Sequence, residues 1–306
     1  MRRIIAALVL FFSAAGADAA PKVVASIVPL QSVVAGVMEG IGTPDTLVRG
    51  GASPHGYALR PSDARLIEAA DLFVWVGPAF ETFLVKPVAA LAGRARVLAL
   101  AETDGATKLE TREGGAWEEE ADDHGHGHAH AHADSETDGH MFLDPANMKR
   151  LAVAAAEALA GLDPANAARY RANAAATAAR LDALDRELEA KLRPLAGRPF
   201  IVFHDAYHYV EHRYGLTGAG SVTVDPERKP GARRIQQIRE RIRKAEATCV
   251  FAEPQFEPSL VKTIVRGTKA RTGTLDPVGA GVAPGVDAYP AIMRALADAL
   301  SKCLSP

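Results

Sequence analysis

Residues 163–192, near the middle of the chain, have the sequence DPANAARYRANAAATAARLDALDRELEAKL. Asp163 is a favoured residue just before a helix, and Pro164 suits the first helical position, where a missing N–H costs nothing. The interior is rich in Ala with Arg and Glu interspersed and has no Gly or Pro before Pro194, so its helix propensity is high. The stretch predicts one rigid helix of about eight turns, roughly 45 Å, that joins two lobes.

Short apolar and β-branched runs, each followed by a helix-like pattern, occur on both sides of this helix. In residues 20–162 the first pair is 23–27 followed by 30–39, and in residues 193–306 the clearest pair is 249–252 followed by 258–270. Such alternation is typical of α/β folds, in which crossover helices connect parallel strands. We therefore expect an α/β protein of two lobes, each a mostly parallel sheet flanked by helices.

Residues 1–19 have the pattern of a signal peptide. Arg2 and Arg3 precede an apolar run over 4–12, and the small-residue pattern of a cleavage site follows at Ala17 and Ala19. The apolar run is too short to cross a bilayer, which takes about 20 residues. We expect an exported, soluble periplasmic protein. Its formal net charge of −2 gives no sign of nucleic-acid binding.

Two cysteines, Cys249 and Cys303, are present, and both lie in the last fifth of the chain. In an oxidising compartment such a pair normally forms a disulfide, which would tie the C-terminal helix to a strand. Two buried free thiols are the alternative. The spacing excludes a compact CxxC metal site.

Residues 103–139 have a different composition, rich in Glu, Asp, Gly and Ala, which predicts a mobile loop without a core of its own. Five of the ten histidines of the chain lie there at alternate positions: His124, His126, His128, His130 and His132. Imidazoles bind zinc, but each binding event would have to order a flexible chain. We expect a secondary metal site of low affinity.

Four further residues stand at strand ends and tight loops, where α/β proteins bind ligands. His55 lies in the loop GGASPHG, and His140 begins an ordered element. His204 follows one strand and Asp276 follows another. Three neutral imidazoles with one carboxylate suit zinc, whereas a second carboxylate in place of an imidazole would favour manganese. We expect these four residues to bind Zn²⁺ between the lobes.

Two other interpretations use some of the same residues. His204, His208 and His212 are four apart and could line one face of a helix, although His208 and His212 also fit a polar helix surface. Three histidines and a water could also form a catalytic zinc in a secreted hydrolase with Glu253 as general base. No HExxH or nucleophile elbow accompanies them, so we expect a protein that is not an enzyme.

The motifs together resemble the cluster A-I metal-binding receptors of ABC importers, particularly their ZnuA-type zinc receptors. The resemblance covers nearly the whole mature chain. It rests on six motifs: GASPHGYALRPSD at 51–63, WVGP at 75–78, HMFLDP at 140–145, FHDAY at 203–207, AEPQF at 252–256 and GTLDP at 273–277. Such an ordered series predicts membership of this family.

The resemblance implies two α/β lobes joined by a long helix, with the metal in the interlobe cleft. It maps the ligand positions onto His55, His140 and His204, with Asp276 a ligand in some members. Pro54 stands where zinc-type relatives can carry Glu, so Asp276 or a water is expected to complete the shell. The resemblance also implies a C-terminal disulfide, a histidine-rich loop, and delivery of zinc by a monomer to an ABC permease with its cytoplasmic ATPase. A manganese or broad-specificity receptor is the alternative within the family.

Overall fold

The computed structural model of the protein describes residues 19–49, 51–112, 137–223, 226–227 and 230–305. Residues 1–18 of the predicted signal peptide lie outside the described residues, and so do the five histidines at 124–132. Within them, no helix is long and apolar enough to cross a membrane.

The N-terminal lobe is built on a four-stranded parallel sheet with strand order β2-β1-β3-β4. The strands are β1 (Val23–Ala25), β2 (Asp45–Thr46), β3 (Leu72–Trp75) and β4 (Arg96–Ala99). Four α-helices accompany them: α1 (Val28–Val37), α2 (Pro61–Ala69), α3 (Val85–Leu91) and α4 (Pro145–Leu162). Every residue of β1 and β3 is buried, as expected for central strands covered on both faces.

The C-terminal lobe repeats this plan with a parallel sheet of order β6-β5-β7-β8. Its strands are β5 (Pro199–Val202), β6 (Thr217–Ser221), β7 (Cys249–Ala252) and β8 (Arg271–Thr274). With α5 (Ala167–Leu192) as the connecting helix, the helices of this lobe are α6 (His208–Tyr214), α7 (Ala232–Lys244), α8 (Pro258–Val265) and α9 (Ala288–Leu304). The predicted fold class, two α/β lobes with parallel sheets, is confirmed.

The predicted long helix is present, with one difference at its start. Residues Pro164–Asn166 form a 3-10 turn, and the α-helix proper is the 26-residue α5, about 39 Å long. The Asp163 carboxylate accepts hydrogen bonds from the side chains of Asn166 and Tyr170 instead of capping the backbone. Seven buried residues form one stripe along α5: Tyr170, Ala174, Thr177, Leu181, Leu184, Leu188 and Leu192. The helix packs on α1 and α4 of one lobe and on α9 of the other.

The two lobes share a continuous apolar core that includes α5. Two hydrogen bonds also join the lobes: the Ser32 hydroxyl donates to the Val286 carbonyl and accepts from the Tyr289 N–H. Within the C-terminal lobe, Cys249 of β7 and Cys303 of α9 form the expected disulfide. The shared core and the Ser32 contacts join the two lobes beside the cleft.

Candidate metal centre

The three histidines singled out in the sequence come from three separate parts of the chain. His55 lies in the loop between β2 and α2, His140 lies in a 3-10 turn, Gly139–Leu143, that leads into α4, and His204 follows β5. The structure brings them together between the lobes, with one ring nitrogen of each within 4.8 Å of the others. Among the residues that the structure describes, they are the only group of three or more His, Cys, Asp or Glu close enough to share a metal ion.

Two of the distances between the ring nitrogens match those between ligands of tetrahedral zinc. The Nε2 atoms of His55 and His140 are 3.4 Å apart, and those of His140 and His204 are 3.2 Å apart. Zinc–nitrogen bonds of about 2.0–2.1 Å in a tetrahedron separate two ligand nitrogens by roughly 3.3 Å. Along these two edges the nitrogens are therefore as far apart as two ligands of one zinc ion, and all three lie within 4.8 Å of one another.

Carboxylates fix the orientation of two of the rings. His140 Nδ1 lies 2.8 Å from Asp138 Oδ1, and His204 Nδ1 lies 2.8 Å from Glu253 Oε1. An ionised carboxylate only accepts hydrogen bonds, so each Nδ1 carries a proton and, in the neutral imidazole, Nε2 keeps the lone pair that can bind a metal. A metal ion between these two Nε2 atoms, which are 3.2 Å apart, would take up the lone pair of each. Such carboxylate–histidine pairs are the usual support of metal ligands.

The surroundings shift the pKa values of His55 and His204 in opposite directions. Burial, reinforced by the charges of His140 and His204, lowers the pKa of His55 to about 2. Burial alone would raise the pKa of Asp138, but the charge of His140 and its hydrogen bonds hold that pKa below its usual range. At His204 burial is outweighed by Glu253, which raises the pKa above the ordinary 6.5.

Apolar side chains close the walls around the three nitrogens. The cavity that they line has a volume of about 10 Å³, room for roughly one water molecule or one ion. The rings of Phe80 and His55 meet edge to face at 5.2 Å, as do those of Phe80 and His140. Pro54, Phe256 and Pro277 complete the lining. These walls leave room for about one water molecule beside the histidines, and the low polarity strengthens charge interactions there.

Asp276 is near the cleft, but the structure does not group its carboxylate with the three imidazoles. Oδ1 accepts from the Gln255 side chain at 2.8 Å and from the backbone N–H groups of Val278 and Gly279, and Oδ2 accepts from the N–H of Ala280 at 2.6 Å. Both oxygens thus hold a turn that follows β8. As a metal ligand Asp276 would have to exchange some of these hydrogen bonds.

The helical arrangement of His204, His208 and His212 is not what the structure adopts. His204 precedes α6, which begins at His208, and His212 is exposed as predicted. His208 faces the supporting carboxylate, with Nδ1 3.7 Å from Asp138 Oδ2. The secondary site predicted at 124–132 lies outside the described residues.

Sequence reasoning missed the supporting role of Asp138 and gave Glu253 a different one. Asp138 stands two residues before His140, but it ends an acid-rich stretch in which one Asp resembles the next. Glu253 follows β7, the neighbour of β5, so its position at the same sheet edge as His204 was available from the strand order. Both carboxylates are at least nine-tenths buried, at 6% and 2% exposure, which marks them as parts of the site.

Fold and site together define the class: a two-lobed α/β protein with three histidines between its lobes that could hold a metal ion. The chain belongs to the ZnuA family, described as zinc-uptake complex component A, periplasmic, whose family model matches residues 23–303. The resemblance inferred from the motifs is therefore confirmed.

Individual relatives support the same assignment. The chain is 49% identical to the high-affinity zinc uptake system protein ZnuA of Brucella suis, over 92% of this chain and 91% of that protein. It is 38% identical to the protein of the same name from Yersinia pestis, over 94% and 92%. A crystal structure of ZnuA superposes with a TM-score of 0.78 at 28% identity, and the match covers 94% of this chain and 100% of that one.

Proposed function

We propose that this protein is a periplasmic zinc receptor that binds one Zn²⁺ ion through His55, His140 and His204 and delivers it to an ABC permease with its cytoplasmic ATPase. The observation that carries the proposal is the pair of Nε2–Nε2 distances, 3.4 and 3.2 Å, with carboxylates behind two of the rings. The relatives named for zinc uptake support the transport role. Export by the signal peptide 1–19 and a monomeric state are part of the proposal.

The chemistry of the ligands favours zinc over manganese. Three imidazoles in an apolar cavity suit a borderline ion with tetrahedral preference, whereas manganese favours carboxylate, carbonyl and water oxygens in octahedral arrangement. A carboxylate ligand would shift the preference of the site toward manganese, but the Asp276 carboxylate already accepts from four hydrogen-bond donors. The manganese receptor is therefore the weaker candidate.

We propose that a water, or Asp276 after an exchange of partners, fills the fourth position. Asp276→Asn keeps an oxygen for the backbone N–H groups and removes the charge. If water is the fourth ligand, this variant should bind zinc within about threefold of wild type. A loss of tenfold or more would instead assign the position to Asp276.

The hydrolase alternative loses its general base in this geometry. Glu253 Oε1 accepts from His204 Nδ1, so the carboxylate stands behind a ligand and supports it. The family is named for zinc uptake, which is a transport function. Turnover of ester or peptide substrates by the zinc-loaded protein, abolished in His204→Ala, would restore the enzymatic interpretation.

The first test is a chelator-competition titration of the metal-stripped mature chain with zinc and with manganese, in wild type and His204→Ala. We expect one tight zinc site and weak manganese binding in wild type. The variant should lose at least 100-fold in zinc affinity, which is more than the loss of a residue that only supports a ligand costs. His212→Ala is the matched control, because His212 is an exposed histidine of α6. Normal binding by His204→Ala, or equal affinity for manganese, would refute the assignment.

A further inference from the structure

The chain on either side of residues 113–136 is tied to α6 of the C-terminal lobe. The Tyr209 hydroxyl accepts from the Leu109 N–H at 2.9 Å and donates to the Asp138 carbonyl at 3.0 Å. Asp138 N–H donates to the Leu109 carbonyl at 2.8 Å, and Glu110 and Thr137 form an antiparallel bridge. Asp138 is the carboxylate that orients His140, so these contacts bear directly on a ligand.

Arg112 adds an ion-pair network to the same region. Its Nε lies 2.8 Å from Asp205 Oδ2 and its Nη1 lies 2.7 Å from Glu211 Oε2. Nη2 completes the fork by donating to both carboxylates, to Glu211 Oε1 at 3.2 Å and to Asp205 Oδ1. Asp205 directly follows His204 in the chain. The guanidinium thus links the N-terminal lobe to the residue next to a ligand of the C-terminal lobe.

The network is built for an arginine. Both acidic partners are largely shielded from water, with the Glu211 side chain 6% and the Asp205 side chain 18% exposed. A Cβ atom at Gly218 would lie 2.5–2.6 Å from the Glu211 carboxylate, so the carboxylate occupies the space that a side chain at position 218 would need. A planar guanidinium can serve two carboxylates at fixed angles, which a single lysine ammonium cannot do.

We infer that Arg112 is a positioning residue of the metal centre. It holds the segment that carries Asp138 and His140 against the segment that carries His204, and thereby sets the separation of the two Nε2 atoms. This inference rests on the proposed function, since it assumes that the three histidines bind the ion. It assigns to Arg112 no contact with the ion itself.

The test compares the mature chain as wild type, Arg112→Met, Arg112→Lys and Arg171→Met, each loaded with Co²⁺ for spectroscopy and with Zn²⁺ for release to a chelator. Tetrahedral Co²⁺ has visible absorption bands that report ligand geometry. Arg171 is the matched control because its pair with Glu157 is on the exposed surface. We expect Arg112→Met to shift the Co²⁺ bands and to release zinc about tenfold faster, the low end of the effect of losing outer support. Arg171→Met should change neither.

Arg112→Lys separates positioning from folding. It keeps a positive charge beside Asp205 and Glu211 but loses the fork, so we expect a folded protein with bands and release rate between wild type and Arg112→Met. If Arg112→Met does not fold, Arg112→Lys decides alone: shifted bands at an unchanged melting temperature support the inference, and wild-type bands with wild-type release overturn it.

Failure of the proposed function would look different. If His204→Ala keeps the wild-type Co²⁺ bands, the histidine site is wrong and both proposals fall. If His204→Ala loses the bands while every Arg112 variant keeps the wild-type bands and release rate, the zinc site stands and only the positioning role is overturned.

Discussion

Glu253 and His204 form a hydrogen bond of 2.8 Å between Oε1 and Nδ1, and both residues are buried. The bond fixes the ring so that Nε2 points to His140. The second oxygen of Glu253 is also buried and has no hydrogen-bond partner among the described residues. Oε1 also accepts a hydrogen bond from the backbone N–H of His204 at 3.5 Å, so both of these hydrogen bonds come from His204.

Glu253→Gln should weaken zinc binding by 10–100-fold, because the amide oxygen still accepts from His204 but the negative charge that makes the imidazole a stronger base is lost. Chelator competition at pH 7.5 measures the change. Glu257→Gln is the control, since Glu257 is exposed in the same part of the chain. Equal affinities for the two variants would mean that Glu253 has no supporting role.

Zinc affinity should fall as the pH is lowered. Protons compete for the ligand nitrogens, and each proton that zinc must displace costs about tenfold in apparent affinity per pH unit below the pKa of that group. Glu253 raises the pKa of His204 above 6.5, whereas that of His55 is far lower, so His204 is the ligand whose protonation should dominate. Titrations at pH 8, 7, 6 and 5 test this, and a constant affinity over that range would contradict it.

A second buried carboxylate should make the stability of the metal-free protein pH-dependent. Glu81 is fully buried, and burial raises its pKa to about 7 despite hydrogen bonds from Ser26 and from the N–H groups of Val76 and Gly77. Because the folded-state pKa lies above the unfolded value, the contribution of Glu81 is complete below pH 4.5 and is lost as the pH rises through 7. With about 1.4 kcal/mol per pKa unit, the loss is of order 3 kcal/mol.

The measurement is urea unfolding of the metal-free protein between pH 5 and 8, in wild type and Glu81→Gln. The Gln variant cannot titrate, so its free energy of unfolding should decline less with rising pH. Comparison of slopes removes the constant cost of the substitution. Glu240→Gln, an exposed site on α7, should keep the wild-type slope. Parallel curves for Glu81→Gln and wild type would show that Glu81 stays ionised throughout.

Sequence patterns predicted those features that depend on local signals. The strand at 249–252 and most of the helix at 163–192 follow from composition and flanking residues alone, and β7 has the predicted bounds. The helix expected over 258–270 ends at Val265, because Arg266 has an extended ψ of 122° and Gly267 after it has a φ of +80°. Local patterns do not determine such a stop when the remaining residues fit a helix.

In the candidate site, too, the sequence predicted positions along the chain but not the contacts of the side chains. Strand ends located His204 and Asp276 at the ligand-binding edge, but they did not reveal what each side chain contacts. The carboxylate of Asp276 turns to the N–H groups of residues 278–280, an interaction that depends on the path of the next turn. Asp138 became recognisable only when its distance to the His140 ring was known. Side-chain orientation, and not position along the chain, is what sequence could not predict.

The five histidines at 124–132 should be dispensable for the main site. The described chain on both sides of residues 113–136 already meets in the Glu110–Thr137 bridge, so a short connection can replace the segment without disturbing the contacts of Arg112 and Asp138. The variant replaces residues 113–136 with a four-residue linker containing Asn-Gly, a sequence suited to a tight antiparallel turn.

This deletion should leave the tight zinc site within about twofold of its wild-type affinity and remove any weaker zinc binding. The physical reason is that all three proposed ligands and both supporting carboxylates lie outside the deleted residues. Calorimetric titration over a wide zinc range separates the two classes of site by stoichiometry. A variant with Ala at all five histidines controls for the change in length and should match the deletion. Loss of the tight site in either variant would move the main zinc ligands into the histidine-rich segment and refute the assignment to His55, His140 and His204.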